Sequence, residues 1–433
     1  MRDIVLVLVF LGLFPKMLYQ PFIGILVWIW LAFMMPQSLA YGFARSIPFS
    51  VLTAAAILFS TLISTERKRL PLTLLTVLLI IFNIWMQTTT LFALYPEDAR
   101  VVASTTVKAQ LINFICIMLT SSYERIKQIL WVVVLSIGFY MLKGGVFALV
   151  TAGNYMVMGP EGSYLDGNNN IGLVAAMLVP LIRFLQMDDS RVWVKRCLVF
   201  LMICCLLVSA ASYSRGAMLA AIAMGGFLWL KGTNKLPILI LVLLSGATLL
   251  QFMPDRWKSR MDTVETYEED ASAMGRINAW EMSWNLAKDY PFGAGFECGA
   301  RPELFMLYAP DPTDSHDFHS NYFSVLAHHG YLGLGLYFAI MFVAWRTGSR
   351  IIKKSELFPD TAWMGKLAAM IQVSLIGYWV GGTFLNLAYW DLPYLLIGLL
   401  IVLQRMLNDR ISMKEDSDSG RLYAPISVRT LTR

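Results

Sequence analysis

Long apolar runs, separated by short charged or proline-containing breaks, recur along nearly the whole chain and constrain its fold more than any other feature. The runs approach the roughly 20 apolar residues that a helix needs to cross a bilayer, and they do not alternate as the strands of a membrane barrel would. Only 15% of the residues are charged, compared with about 25% in an average soluble domain. The sequence therefore predicts an all-α polytopic membrane protein. It excludes an ordinary soluble domain, a disordered chain and a nucleic-acid-binding protein.

The breaks divide the runs into thirteen candidate helices. These cover residues 4–14, 21–35, 50–64, 71–88, 104–120, 127–150, 169–186, 195–212, 215–230, 236–252, 322–346, 364–385 and 391–407. The first two are short and are separated by Pro15, Lys16 and Pro21, so they form either one broken crossing or a shallow hairpin. Residues 1–14 carry no small-residue cleavage site, and we expect this segment to be retained.

Lysine and arginine are concentrated in alternate loops between the candidate helices. The clusters lie at residues 67–69, 125–127, 191–196, 231–235 and 350–354. Because positively charged loops stay on the cytoplasmic side of a membrane, we assign these loops and the tail, residues 408–433, to the cytoplasm. An N-terminus on the same side requires an even number of crossings, which favours about 12 membrane helices. The net charge of +6 is explained by this topology and needs no acidic ligand.

One polar segment, residues 253–320, interrupts the row of helices on the side opposite the basic loops. It contains 13 acidic and 6 basic residues, and its 68 residues are enough to fold over the membrane surface. Within it Ile277, Trp280, Trp284 and Ala287 recur at helical spacing, which predicts an amphipathic helix that lies on the membrane interface or covers a cavity. The chain thus divides into membrane helices over 1–252, a large extracytoplasmic loop over 253–320, membrane helices over 321–407 and the tail.

All four histidines fall within 14 residues at the end of this loop and the start of the next helix: His316, His319, His328 and His329. Histidine titrates near neutral pH, so it is the first candidate for a general base that deprotonates a hydroxyl group. Two other interpretations remain open. One or both of the last two histidines pack or cap a helix, or His316 and His319 bind a metal together with Asp314 and Asp317. Because no HExxH-type ligand spacing is present, we predict no metal.

Several basic residues lie on the side where the topology rule disfavours them. Arg215 follows Ser212-Tyr213-Ser214 at a helix start, Arg276 opens the amphipathic helix, and Arg100, Lys108 and Lys143 lie near the same face. The planar guanidinium group donates two parallel hydrogen bonds to a phosphate and stays charged at any working pH. These residues therefore indicate a site for a diphosphate ester. The alternative, which applies above all to the two lysines, is snorkelling to lipid headgroups or pairing with the acidic loop.

Short motifs occur in a fixed order around the large loop: Ser214-Arg215-Gly216, Gly275-Arg276 before Trp280, Gly293-Ala294-Gly295, His319-Ser320-Asn321-Tyr322 and Gly330-Tyr331-Leu332-Gly333. The turn Asp166-Gly167-Asn168-Asn169-Asn170 is a weaker element of the set. Together they resemble the O-antigen ligase and O-antigen polymerase superfamily. The resemblance implies about a dozen helices in a GT-C-like glycosyltransferase, a periplasmic active site, and transfer of glycan from undecaprenyl diphosphate without a nucleotide sugar or an essential metal.

The interpretation that follows is an O-antigen ligase of the bacterial inner membrane, acting on the periplasmic side in lipopolysaccharide biosynthesis. It would transfer a polysaccharide from undecaprenyl diphosphate to a sugar hydroxyl of lipid A-core, among membrane lipids and without a cofactor. His319 would act as general base in a direct, inverting displacement, and Arg215 and Arg276 would hold the departing diphosphate. Further substrate contacts are expected from Asn321, Tyr322, Arg100, Lys108, Lys143 and Arg301.

Alternatives remain at this point. A covalent, retaining route would use an acidic nucleophile such as Asp317 or Asp391, although no obvious carboxylate pair is present. The same donor chemistry fits an O-antigen polymerase or a protein O-oligosaccharyltransferase. The opening of the chain, with Pro21-Phe22-Ile23-Gly24 and Pro36-Gln37, also resembles a branch of O-glycosylation ligases and leaves the acceptor open. A transporter is favoured by the helix count but not by the long acidic loop.

Overall fold

The computed structural model describes residues 2–66, 68–231 and 271–422, and this part of the chain is helical without strands. The α-helices are α1 (Arg2–Tyr19), α2 (Pro21–Met34), α3 (Phe49–Ile63), α4 (Leu74–Leu91), α5 (Pro96–Leu119), α6 (Tyr123–Val150), α7 (Gly167–Asp188), α8 (Val192–Ala211), α9 (Arg215–Lys231), α10 (Ala271–Asp289), α11 (Pro302–Tyr308), α12 (Asn321–Ser355), α13 (Ala362–Gly381) and α14 (Asp391–Leu422). Short 3₁₀ turns lie at Pro36–Leu39, Phe43–Ser46 and Pro359–Thr361.

Seven helices of the described chain are long and apolar enough to cross a membrane, namely α4 to α8, α12 and the first part of α14. The helices α2, α3 and α9 are apolar but shorter. The all-α, polytopic character predicted from the sequence is thus confirmed, whereas the number of 12 crossings stays a prediction. The candidate helix 236–252, the first part of the large loop and the end of the tail lie outside the described residues.

The centre of the bundle is formed by helices whose apolar residues point in every direction. α7 packs against α6, α8, α9 and α13, and its Leu173, Leu178 and Leu181 are fully buried. The apolar part of α14 is buried to a similar degree. The peripheral α1 instead exposes Ile4 and Leu8, as expected for side chains that face lipid.

Ion pairs join the loops that carry the basic clusters into one face of the bundle, which we call the basic face (residues 64–73, 119–127, 188–191, 355–361 and 405–410). Arg125 pairs with Glu66 at 2.8 Å, and Lys127 pairs with Asp188 at 2.6 Å. Arg410 of α14 pairs with Asp360 at 2.8 Å. The loops that the sequence assigned to one side of the membrane therefore do contact one another.

Arg405 fixes the end of α14 to this face by hydrogen bonds to backbone carbonyl groups. It is 8% exposed, and its guanidinium group donates to the carbonyl oxygens of Arg69 at 2.9 Å and Ile117 at 3.2 Å, and also to that of Thr120. Ile117 is in the last turn of α5, where carbonyl groups lack partners within the helix. The guanidinium group thus donates hydrogen bonds to carbonyl groups at the end of α5 that have no partner within that helix.

The loops at the other ends of the helices form the opposite face, which we call the site face (residues 151–166, 212–214, 290–320 and 382–390). The segment after α2 reaches this face, because Met35 lines a small cavity with Tyr164 and Trp390. The N-terminus is held to the same segment, since the Asp3 carboxylate accepts hydrogen bonds from the backbone of Gly42 at 2.9 Å and Ala44 at 3.1 Å. The N-terminus thus lies at the end of the bundle opposite the basic face, where α14 ends, so the even number of crossings expected from a shared side no longer follows. The reason is that α1 continues through Pro15 and forms an antiparallel hairpin with α2, so each short apolar run is a separate helix.

Candidate active site

Arg215 is the first residue of α9, and a short polar turn fixes its position. The Ser214 hydroxyl accepts a hydrogen bond from the backbone of Ala217 at 3.2 Å, as a helix cap does. The Asn168 side chain, at the start of α7, donates to the Ser212 carbonyl at 2.8 Å. The Asp166-Gly167-Asn168-Asn169-Asn170 turn and the Ser214-Arg215-Gly216 motif are thus parts of one structure.

The amphipathic helix predicted in the large loop is α10, but its buried side is rotated from the predicted one. Ala279, Met282 and Leu286 are fully buried, whereas Trp284, which the spacing assigned to the apolar side, is 50% exposed. The cause is Asn278, whose side chain points inward and exchanges hydrogen bonds of 2.9 Å with the backbone of Asp311. The inner face of α10 therefore holds the rest of the loop.

Arg215 and Arg276, which are 61 residues apart in the sequence, line the same cleft. The cleft has a volume of about 260 Å³ and lies between the starts of α9 and α10 and the segment after α13. A smaller cavity is lined by the same two arginines and by further polar residues. The cleft is lined by Arg215, Gly216, Leu219, Ala273, Arg276, Ile277, Trp280 and Phe384, and the smaller cavity adds Asn169, Tyr213 and Ser214.

His319 lies in the loop that leads into α12, close enough to Arg276 for the two charges to interact. Burial lowers the pKa of His319 below its ordinary value, and the charges of Arg276 and His316 lower it further, while the Asp317 carboxylate acts in the opposite direction. The imidazole is therefore largely neutral at pH 7 and able to accept a proton, and part of the residue stays exposed to solvent.

The backbone on the N-terminal side of His319 is held from two directions. The Asp317 carboxylate accepts hydrogen bonds from the Asn386 side chain at 2.8 Å and from the backbone of Phe318 at 2.9 Å. The indole of Trp280 in α10 donates to the Phe318 carbonyl at 2.8 Å. His319 itself has φ +44°, an uncommon value for a residue other than glycine. The surrounding contacts thus stabilise a strained backbone at the candidate base.

The Gly275-Arg276 motif has a steric explanation. A Cβ atom on Gly275 would lie 2.7 Å from the His316 ring and 3.1 Å from the Asp314 carboxylate. These two side chains pair with each other at 2.6 Å. Glycine at this position lets the pair lie directly against α10, one residue before Arg276.

His328 and His329 are buried on the inner side of the site face, and Gly330 interrupts α12 directly after them. His329 Nδ1 lies 2.7 Å from the Thr89 hydroxyl, and His328 Nδ1 lies 3.0 Å from the Tyr389 hydroxyl. Both imidazoles are thus packed and hydrogen-bonded, which agrees with the structural interpretation left open by the sequence.

The two predicted contacts that follow His319 lie at the junction of α12 and the segment after α13. Asn321 is 1% exposed, and its side-chain oxygen accepts a hydrogen bond from the backbone of Leu387 at 2.6 Å. The Tyr322 hydroxyl donates to the Trp379 carbonyl at 2.6 Å. Neither side chain lines the cleft, and their role in substrate binding stays a prediction.

The remaining predicted substrate contacts also lie outside the cleft. Arg301 pairs with Asp98 at 2.6 Å and so ties the large loop to the start of α5. Arg100 and Lys108 are exposed on α5, and Lys143 is exposed on α6. Among the residues that the structure describes, no three His, Cys, Asp or Glu side chains converge as a metal site would require.

Phe384 and Asn386 are the main features of the site that the sequence did not reveal. The candidate helix 364–385 included Phe384, whereas α13 ends at Gly381 and Phe384 lies in the following loop. The consecutive glycines at 381 and 382 are the one signal for this helix end. Asn386 is 69 residues from Asp317, and no local pattern links them.

Two family models match the chain. Residues 1–190 match a family of unknown function (DUF5935), and residues 197–338 match the O-antigen ligase family. No curated protein is significantly similar to the chain. The second match runs from α8 into α12 and includes both arginines of the cleft, His319, and the glycine motif that follows His329. The match over residues 197–338 confirms the resemblance to the O-antigen ligase and polymerase superfamily that the motifs indicated.

Proposed function

We propose that the protein is a membrane glycosyltransferase that moves a preassembled polysaccharide from undecaprenyl diphosphate to a sugar hydroxyl of lipid A-core. The observation that carries the proposal is the cleft shared by Arg215 and Arg276, together with His319, whose charge interacts with that of Arg276. Its position on the site face, opposite the basic face, supports an active site on the periplasmic side of the bacterial inner membrane.

The composition of the cleft suits a phosphorylated lipid. Two guanidinium groups lie at the end where Asn169, Tyr213 and Ser214 add polar groups. The cleft is also lined by the largely apolar side chains of Leu219, Ile277, Trp280 and Phe384. A diphosphate between the arginines would place the first isoprene units of the donor among these apolar side chains.

In the proposed reaction, His319 removes the proton from the acceptor hydroxyl as the oxygen attacks the anomeric carbon of the donor. The bond from this carbon to the diphosphate oxygen breaks, and the charge that develops on the diphosphate is stabilised by Arg215 and Arg276. The neutral state of His319 at pH 7 supports its role as the base. A single displacement of this kind inverts the anomeric centre and needs no metal.

Reconstitution into liposomes with a lipid-linked glycan and a choice of acceptors tests the function. Transfer to lipid A-core supports the ligase. Elongation of a second lipid-linked glycan would identify a polymerase, and modification of a protein hydroxyl would identify a protein O-oligosaccharyltransferase. Transport of the lipid-linked glycan without any transfer would contradict the enzymatic assignment.

Lysine substitutions test the two arginines specifically. Arg215→Lys and Arg276→Lys keep the charge but lose the forked geometry, and we expect each to lose about 1.5–3 kcal/mol of transition-state stabilisation, or roughly 10- to 150-fold in kcat/KM. Alanine variants should be worse. We expect the Arg215 defect chiefly as a raised KM for donor and the Arg276 defect chiefly as a lowered kcat.

Arg45 supplies a matched control, because it is exposed in the turn Phe43–Ser46 and Arg45→Lys changes the same chemistry outside the cleft. Wild-type kinetics in both cleft variants would contradict the forked contact and would move the search for the anion site to Arg100, Lys108, Lys143 or Arg301.

A further inference from the structure

The smaller cavity, which shares Arg215 and Arg276 with the cleft, is also lined by Asn169. Its volume is about 10 Å³, close to the space that one water molecule occupies, so the residues that line it surround nearly the same point. Within the described chain the side-chain amide of Asn169 makes no hydrogen bond. The cavity is thus lined by two guanidinium groups and by an asparagine whose amide the fold does not use.

The other two uncharged polar side chains of this cavity have roles in the fold. The Tyr213 hydroxyl donates a hydrogen bond to the Gly153 carbonyl. The Ser214 hydroxyl caps α9, where it accepts from the backbone of Ala217 at 3.2 Å. Asn169 is therefore the uncharged side chain of the cavity that has no such structural role.

Asn169 is the middle one of three consecutive asparagines at the start of α7, and each of the three has a different place. The amide of Asn168 donates to the Ser212 carbonyl at 2.8 Å and so joins α7 to the turn before α9. Asn170 lines neither the cleft nor the smaller cavity. The same side chain at neighbouring positions thus supplies one structural contact, one cavity contact and one matched control.

The packing of the next turn of α7 shows which way the face that carries Asn169 is directed. Residues three and four positions later lie beside it on the helix surface. A Cβ atom on Gly172 would overlap the Ser212 hydroxyl, so this side of α7 lies against the turn before α9. A Cβ atom on Gly381 would overlap the Leu173 side chain, so the adjoining side lies against the end of α13. Asn169 therefore faces the space between the start of α9 and the end of α13.

The same close packing holds Asn169 in a fixed position relative to Arg215. Ser212 is fully buried, and it contacts α7 through both its carbonyl and its hydroxyl. Arg215 follows it three residues later, at the start of α9. Donors that are held by the fold in this way bind a ligand without first having to be ordered.

We propose that Asn169 is a third ligand of the donor diphosphate, whose amide donates to a phosphate oxygen between the two guanidinium groups. This inference rests on the function proposed above. A primary amide has two N–H donors and no charge. The terminal oxygens of a diphosphate have more lone pairs than two forked guanidinium groups bind, so a further donor finds an acceptor there. The amide thus adds orientation to the site without adding charge.

Two substitutions separate this role from a structural one. Asn169→Ala removes the donors. Asn169→Asp keeps the shape of the side chain, removes the donors and places a negative charge against the phosphates, so it should be the more harmful of the two for binding. For the fold the order is the reverse, because an acidic residue in the first turn of a helix is favourable.

Binding of a fluorescent short-chain isoprenyl diphosphate to the purified full-length protein in lipid nanodiscs tests the proposal. The isoprenol with the same fluorophore serves as the probe without phosphate. We expect Asn169→Ala to weaken binding of the diphosphate roughly 10- to 150-fold and Asn169→Asp to weaken it further, with no change for the isoprenol. Asn170→Ala and Asn170→Asp make the same changes outside the cavity and should bind both probes as the wild type does.

The melting temperatures of the same samples complete the test, and Asn169→Asp should be at least as stable as Asn169→Ala. Wild-type binding of the diphosphate by both Asn169 variants, in a protein that Arg215→Lys weakens, would overturn the role of Asn169 and leave the proposed function standing. Binding that neither the Asn169 variants nor the lysine variants of Arg215 and Arg276 alter would overturn both. Equal loss of diphosphate and isoprenol binding would also overturn this inference, because the residue would then act through the fold.

Discussion

Gly330→Ala tests how α12 is held against the loop that carries the site. Gly330 has φ +68° and ψ −168°, a combination that is essentially restricted to glycine. A Cβ atom there would lie 2.1 Å from the Pro291 carbonyl oxygen and 2.5 Å from the backbone of Phe292. The backbone strain costs about 1–3 kcal/mol and the overlap about 1–3 kcal/mol more. We therefore expect the free energy of unfolding to fall by about 2–6 kcal/mol, a large part of the usual stability of a protein.

Gly335→Ala is the matched control, because this glycine is in the same helix and a Cβ atom there would contact nothing within 4 Å. Alanine favours the helix by about 1 kcal/mol over glycine. Both variants should be unfolded by heat and by denaturing detergent in the same lipid or detergent system. We expect Gly330→Ala to unfold well before the wild type and Gly335→Ala to unfold with it or later. Equal stability of the two variants would refute the close contact between α12 and residues 291–292.

Three further predictions concern the site and the topology. His319→Ala should lower kcat about 10²- to 10⁴-fold in the liposome transfer assay, with a milder effect of His328→Ala; near wild-type turnover of His319→Ala would remove it as the base. Because burial lowers the pKa of His319 below 6.5, kcat/KM should fall with acid only below that pH. Asp317→Asn removes a charge that raises this pKa and should shift the fall to lower pH, so a shift to higher pH would contradict the arrangement. In intact cells an impermeant thiol reagent should label a cysteine placed at Glu303 and not one at Lys353; the reverse pattern would invert the topology.

The helices were predictable from the sequence because hydropathy and caps act locally. The start of α9 at Arg215 follows from the polar turn before it. The starts predicted at 71 and 127 were less accurate, because α4 begins at Leu74 after its cap Thr73 and α6 begins at Tyr123 after its cap Ser122. The end of α13 was less predictable, since Leu385 and Leu387 are buried in a loop and have the same hydropathy as membrane residues. An apolar run therefore does not distinguish a buried loop from the last turn of a helix.

The candidate site was predictable in its residue types but not in its geometry. The chemistry of arginine and histidine pointed to Arg215, Arg276 and His319 without any knowledge of distances. The contact between Asp317 and Asn386 joins two distant chain segments that the fold brings together. The spacing of apolar residues along the sequence does not predict such a contact. The rotation of α10 has a similar cause, because a polar residue, Asn278, is buried where its hydrogen bonds are satisfied.

The contacts of Arg405 have a consequence for the order in which the protein assembles. A polytopic chain enters the membrane from its N-terminus, so α5 is in place long before α14 is made. Until then the carbonyl groups of Ile117 and Thr120 lack the guanidinium group that they bond in the finished protein. A nascent chain that stops before Arg405 therefore leaves the end of α5 at the basic face incomplete, which is the kind of defect that membrane quality-control proteases can detect. Insertion of the final helix both completes the bundle and removes that defect.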